Sequence, residues 1–386
     1  MPVTKILFSL LRHEIISCEP PKEVVDGITD EMLIKLYTTS KKYDIASIIA
    51  SSLSKLGKLG LSDDASKAFR KELALSVMRY ETMNYDYERI CKTFEDEKIQ
   101  YIPLKGSVIR KFYPEPFMRT SCDIDILVKE NDLDRAVNTL VEKLSFTTKG
   151  NRDFHDVSVF SESETHLELH FNIMENMENV DELLGKVWEY AVPSEDGSCR
   201  YEMTNEYLIF HNISHMSYHF VNGGCGIRPF VDLYLLEKNL DYDKAKLSEL
   251  CEGCSLEKFR IAVENTAKVW LENQPQNELS ERIEKHIFSG GLYGNLETGS
   301  AVMQAQQGGH FKYVMSRVFQ PYNVIKEKYP VLKKHKWLMP VCQVRRWFFV
   351  LSNKRDGIAK HLKAGKNVSK NVIDEKIKLL KDVGLN

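Results

Sequence analysis

The chain has 386 residues, 43% of them hydrophobic and 28% charged, a balance that excludes fibrous and disordered proteins and allows two or three domains with a buried core. The net charge of −2 hides an asymmetry: residues 326–386 carry 16 Lys and Arg against 5 Asp and Glu, while residues 1–325 carry 37 against 50. The chain is acidic with a basic tail. Its 8 cysteines are scattered in the manner of a reduced intracellular protein, so a disulfide framework is not expected.

Residues 1–95 read as a helical lead-in, with apolar positions three and four apart in KILFSLLRHEII, in DEMLIKLYTTSKKYDIASIIASSLSKLG and in KELALSVMRYETMNYDYERICKTFEDE. The first of these is short, is interrupted by Arg12 and His13 and lacks a cleavage site, so it reads as a helix of the fold and not as a leader. No apolar run approaches the length needed to span a bilayer, and a cytoplasmic location is expected. Ser62 or Asp63 is a plausible cap for the third helical stretch.

The pattern changes at residue 96. IQYIPL (99–104), Asp123–Val128, HDVSVFS (155–161) and HLELHFNI (166–173) read as strands, and NDLDRAVNTLVEKLSF (131–146) reads as a helix capped by Asn131 or Asp132. The expected fold class is α+β: a small mixed β-sheet over 96–192, flanked by N-terminal and C-terminal helical regions. A helical region over 193–325 follows, with a turn at PSEDGS (193–198) and helices at 205–220, 227–239, 257–272 and 278–288. The second of these should start after Asn222-Gly223-Gly224 closes the first. Six glycines between 289 and 310 suggest a loosely packed linker. Cys251 and Cys254 form a lone C-x-x-C, read as two thiols near a helix start. The basic region 326–386 interleaves Trp337, Trp347, Phe348 and Phe349 with positive clusters, a combination that serves helix packing, an anionic membrane surface or RNA.

Three features of the middle region carry chemistry. Asp123 and Asp125 stand two apart on a strand, so both carboxylates share one face while Ile124 and Ile126 turn to the core. Side-by-side carboxylates repel, and a divalent cation resolves the conflict. Glu168, flanked by Leu167 and Leu169, can add a third carboxylate; such a set suits Mg2+, or Mn2+, with positions left for water and a triphosphate. Gly106-Ser107 opens a short helix 17 residues before Asp123, where close backbone approach, a hydroxyl and free amides can meet phosphate oxygens. Lys105 and Arg119 are candidate cationic contacts to the triphosphate. Arg119 could instead be clamped by Asp123 or Glu115.

The order apolar-Gly-Ser, Asp-apolar-Asp, apolar-Glu-apolar resembles the nucleotidyltransferase superfamily whose minimal palm is shared with DNA polymerase beta. LKGSVIRKFYPEPFMRTSCDIDILV more closely resembles a bacterial branch of it, an uncharacterised nucleotidyltransferase family. HNISHMSYH with IRPFVDLYLL is similar to that family's helical module at His211, His215, Arg228 and Asp232, and FQPYNVIKEKYPVLKKHKWLMPVCQVRRW to its C-terminal signature. The resemblance implies transfer of a nucleoside monophosphate from an NTP, ATP among the candidates, to a hydroxyl of a small molecule, peptide or protein, with release of pyrophosphate. Asp123, Asp125 and Glu168 would be the metal-binding catalytic residues, and Lys105, Gly106, Ser107 and Arg119 would hold the nucleotide. His170, on the Glu168 face, would support the metal site or substrate from behind. His211 and His215 stand with His219 on one helical face. They would pack beside the cleft, with Asp232 orienting one ring or pairing with Arg228. An RNA-modifying or toxin-like transferase and a non-catalytic NTP-binding regulator are the competing readings.

Overall fold

The computed structural model describes residues 1–60, 63–149, 152, 155–175, 177–222, 224–290, 310–329, 331–353 and 370–385. Ser62, Gly223 and most of the glycine-rich stretch lie outside the described residues. The chain divides into two compact units, Met1–Tyr218 with Gly226–Glu281, and His219–Cys225 with Arg282–Asn386.

The first unit begins with helices α1 (Val3–Ile16), α2 (Lys22–Asp26), α3 (Asp30–Lys42), α4 (Ala46–Lys55) and the 33-residue α5 (Asp64–Asp96). Local chemistry starts two of them: the Thr29 hydroxyl accepts from the Met32 amide, and the Asp63 carboxylate accepts from the Ser66 amide. Between Ser62 and Asp63, the cap is thus Asp63.

Strands β1 (Tyr101–Pro103), β2 (Asp123–Val128), β3 (Thr147–Thr148), β4 (Asp156–Phe160) and β5 (His166–His170) form one sheet in the order β1-β2-β5-β4-β3. The β2–β5 pair is parallel and the remaining pairs are antiparallel, which makes the sheet mixed as the order of strands and helices suggested. Helices α6 (Lys105–Ile109) and α7 (Leu133–Leu144) lie in the connections. Asp132 precedes α7 but its side chain makes no capping bond. A 3-10 turn over Glu130–Asp132 leads into the helix instead, closed by the Asp132 amide on the Lys129 carbonyl at 2.9 Å.

One face of the sheet is the core. Ile124, Ile126 and Val128 of β2, Leu167 and Leu169 of β5 and Val159 of β4 pack against Ile90 and Phe94 of α5 and Ala136 and Leu140 of α7. Helices on that face leave the opposite face, with its polar residues, for function. Truncation of the fully buried Ile126 to Ala should cost about 2–5 kcal/mol, from lost transfer energy plus a cavity, read as a lower urea midpoint at unchanged slope.

Helices α8 (Glu178–Leu184), α9 (Asn205–Val221), α10 (Arg228–Asn239), α11 (Lys244–Gly253), α12 (Glu257–Glu272) and α13 (Glu278–Gly290) continue the chain. A two-stranded ribbon, β6 (Ala191–Pro193) and β7 (Tyr201–Met203), brackets the PSEDGS turn; strands of three residues are too short for alternation to reveal. Cys251 and Cys254 close α11, and Cys254 stands three residues before α12 begins. Both are buried, and burial pushes the Cys251 thiol up to about 12, which makes it inert.

The second unit has a small core of Ile325, Leu332 and Cys342, with Tyr322, Tyr329, Leu338 and Met339 packed on it. Trp347 donates to the Val318 carbonyl at 2.7 Å and meets Phe319 edge-on, whereas Trp337 and Phe348 are 75% and 72% exposed. The tail aromatics therefore split between packing and display. No helix among the described residues is long and apolar enough to cross a membrane.

Candidate active site

Because β2 and β5 are parallel neighbours, their register decides which side chains meet. Asp125 stands opposite Glu168 and Asp123 opposite His166, and the period of two puts all four, with His170, on the face away from the α5–α7 core. Neighbouring strands lie about 4.8 Å apart, so the three carboxylates named from the sequence form one cluster. Ligand atoms of Asp123, His166 and Glu168 lie within 4.8 Å of one another, as do those of Asp125, Glu168 and His170, and those of His155, Asp156 and His170.

The cluster's electrostatics are unequal. Burial raises the Asp123 pKa, and the charges of Asp125 and Glu168 raise it further. Burial also opposes ionisation of Asp125, but the Lys105 charge and the His170 hydrogen bond outweigh it and hold its pKa below the usual range. His170 Nε2 lies 3.0 Å from Asp125 Oδ1 and 3.5 Å from Glu168 Oε2. These bonds overcome the burial of the ring and push its pKa up to about 9. Ser121, not singled out by the sequence, donates to Asp123 Oδ1 at 2.9 Å and fixes that carboxylate. Three carboxylates gathered on one face, one of them with a raised pKa, form an all-oxygen donor set that a divalent cation suits.

The turn from β1 into α6 carries Lys105 and Gly106 beside the cluster. Lys105 has φ 35°, a left-handed conformation that is strained for a residue with a Cβ. Its charge acts on Asp125, His170, His211 and His215. A Cβ on Gly106 would stand 2.9 Å from Arg119 Nη1 and 3.3 Å from Ser121 Oγ, so a larger residue here would have to push the Arg119 guanidinium, which Asp232 holds, out of its place. The expected free amide at Ser107 is not free: it donates to the Leu104 carbonyl at 3.1 Å. Arg110, four residues beyond Gly106, donates from Nε to the Gly106 carbonyl at 2.8 Å and lies over the Tyr80 ring. Burial and the adjacent Arg119 charge pull its pKa down to about 10, which marks it as a cation facing a positive surrounding.

The remaining candidates pair differently from the sequence reading. Neither Asp123 nor Glu115 clamps Arg119; it makes a bidentate pair with Asp232, Nε and Nη2 each 2.9 Å from a carboxylate oxygen, and Tyr113 donates to the same carboxylate at 2.8 Å. Among the described residues Asp232 pairs with Arg119 and Tyr113, and with neither Arg228 nor a histidine. Arg228 reaches Asp44 at 2.6 Å and the Thr120 carbonyl at 2.8 Å. Glu175, not Asp232, holds His215, at 2.6 Å from Nδ1. His211 is buried, and burial together with the Lys105 charge holds its pKa down at about 3, so the ring is neutral at physiological pH.

His166 was legible, since H-L-E-L-H puts it on the Glu168 face by the same period of two. Asp44, Glu175 and His155 come from distant segments, and no spacing rule joins them to the cluster.

The family described as Uncharacterised nucleotidyltransferase matches this chain over residues 33–272, and the chain belongs to that family. The matched stretch contains every residue of the cluster; the stretch expected to be a C-terminal signature, residues 319–347, lies beyond it. No curated protein and no solved structure matches.

Proposed function

We propose that this member of the uncharacterised nucleotidyltransferase family transfers a nucleoside monophosphate from an NTP to a hydroxyl of a small molecule, peptide or protein. The observation that carries the reading is the register of β2 and β5, which sets Asp125 against Glu168 with Asp123 one pleat away. In the reaction the acceptor oxygen bonds to the α-phosphorus, the bond from that phosphorus to the α–β bridging oxygen breaks, pyrophosphate leaves, and the hydroxyl proton is taken up by base or water.

The residues fit Mg2+ or Mn2+: Asp123, Asp125 and Glu168 supply hard oxygen donors, and burial together with the charges of Asp125 and Glu168 raises the Asp123 pKa, a cost that a bound cation would relieve. When bound, the cation neutralises charge on the phosphates and makes the acceptor hydroxyl more acidic. Lys105 and the Gly106 turn bind the triphosphate, with Arg110 adding a cation that the sequence did not single out. His170 orients Asp125 through its 3.0 Å contact, and Glu168, less buried than Asp125, takes the acceptor side and receives its proton. The exposed Trp337 and Phe348 of the basic region suit contact with an anionic membrane surface or RNA.

Purified protein incubated with each α-labelled NTP, Mg2+ or Mn2+ and cell extract split into RNA, protein and small-molecule fractions tests this reading. Label in the protein or small-molecule fraction, with pyrophosphate release, is the expected result. Label in RNA would assign the RNA-modifying activity instead. NTP binding without label or pyrophosphate in any fraction would leave a nucleotide sensor.

A further inference from the structure

On the side of His170 remote from the carboxylate triad stand His155 and Asp156. His155 Nε2 is 3.1 Å from Asp156 Oδ2, and the His155 and His170 rings stack with centroids 5.4 Å apart and planes 15° from parallel. Asp156 faces His170 across the β4–β5 pair. One ligand atom from each of the three residues falls within 4.8 Å of the others. His170 is 3% exposed, its Nε2 is committed to Asp125, and its Nδ1 is buried with no hydrogen-bond partner among the described residues.

A buried ring nitrogen without a partner carries a desolvation cost that native structures seldom leave uncompensated. A metal-bound imidazole characteristically donates its other N–H to a carboxylate, which fixes both tautomer and ring orientation. His170 has that half of the arrangement in place: Nε2 lies on the Asp125 carboxylate, and Nδ1 is the nitrogen left over for an ion. We propose that His155, Asp156 and His170 form a second cation site, selective for a nitrogen-preferring transition metal of the Zn2+ type and distinct from the Mg2+ site at the three carboxylates.

Two imidazoles and one carboxylate suit Zn2+, Co2+ or Ni2+ and disfavour Mg2+, which prefers all-oxygen sets. The His155 side chain is 39% exposed, so an ion has a route in from solvent. Binding forms a bond from His170 Nδ1 to the ion and releases to solvent any proton that nitrogen carries. The ion then holds the ring with Nε2–H on Asp125 and couples transition-metal occupancy to the geometry of the carboxylate triad.

Full-length protein stripped with chelator and titrated with Co2+ in excess Mg2+ provides the test, because Co2+ bound by imidazole shows visible d–d bands. Wild type should take up one Co2+ per chain that Mg2+ does not displace. His155→Ala should weaken it at least about 100-fold, more than loss of a supporting partner does, with an unchanged melting curve. Asp123→Asn, outside the trio, should retain the band. Loss of the band in Asp123→Asn with retention in His155→Ala would place the ion on the carboxylates and overturn the proposal. Absence of any band in wild type would equally overturn it. Neither outcome bears on nucleotide transfer, which is scored separately by pyrophosphate release.

Discussion

Asp125→Asn should lower nucleotide transfer by at least about 10^3-fold, the loss expected when roughly 4 kcal/mol of transition-state charge stabilisation is removed. Asp125 sits at the centre of the cluster: it faces Glu168 across the parallel pair and accepts from His170, so a ligand lost here touches both halves of the metal set. The change is nearly isosteric, and an asparagine oxygen can still accept from His170 Nε2, so the fold should survive. Pyrophosphate release is measured beside the melting temperature, with the acceptor fraction identified by labelling. Transfer within about 10-fold of wild type, in a folded Asp125→Asn protein, would remove the carboxylates from the mechanism. Glu168→Gln should fall less steeply if Glu168 supplies a proton acceptor that water can partly replace, a difference that appears as a changed pH profile of kcat.

The carboxylates were legible in the sequence because their information is local. A period of two fixes a face, and Ile124, Ile126, Leu167 and Leu169, which alternate with the acids, are all core residues. What the period could not supply was strand order. Nothing in HLELH says that β5 pairs with β2 in parallel and places Glu168 opposite Asp125, and not one pleat away. That register follows from the excursion of the chain through α7 and the β3–β4 strands and from burial of the apolar face on α5. Lys105 illustrates a second limit. Its left-handed backbone is a property of the turn that tertiary packing imposes, and a lysine gives no warning of it. The histidines were found as letters, but their partners were not, since His215 meets Glu175 across 40 residues of chain.

Arg119 is the instructive disagreement. The sequence offers it to the triphosphate, yet the fold commits two of its guanidinium nitrogens to Asp232, 113 residues away. Both partners are almost fully buried, so Asp232→Ala leaves a desolvated guanidinium unpaired and deprives the Tyr113 hydroxyl of its acceptor. The expected cost is about 3–5 kcal/mol, read as a drop in the denaturation midpoint, against a smaller drop for Asp44→Ala, whose carboxylate is more exposed than that of Asp232. Replacing both partners by apolar residues of similar volume, Arg119→Met with Asp232→Leu, should restore most of the lost stability, because the desolvation penalty disappears with the charges. Transfer activity should not return with it. The third guanidinium nitrogen, Nη1, abuts the Gly106 turn so closely that a Cβ would stand 2.9 Å from it, and its charge raises the potential where the triphosphate is proposed to lie. A stable double variant with full transfer would make Arg119 a structural pair alone; a stable but inactive one would join both readings of this residue, the Asp232 pair holding the guanidinium where its remaining nitrogen backs the nucleotide.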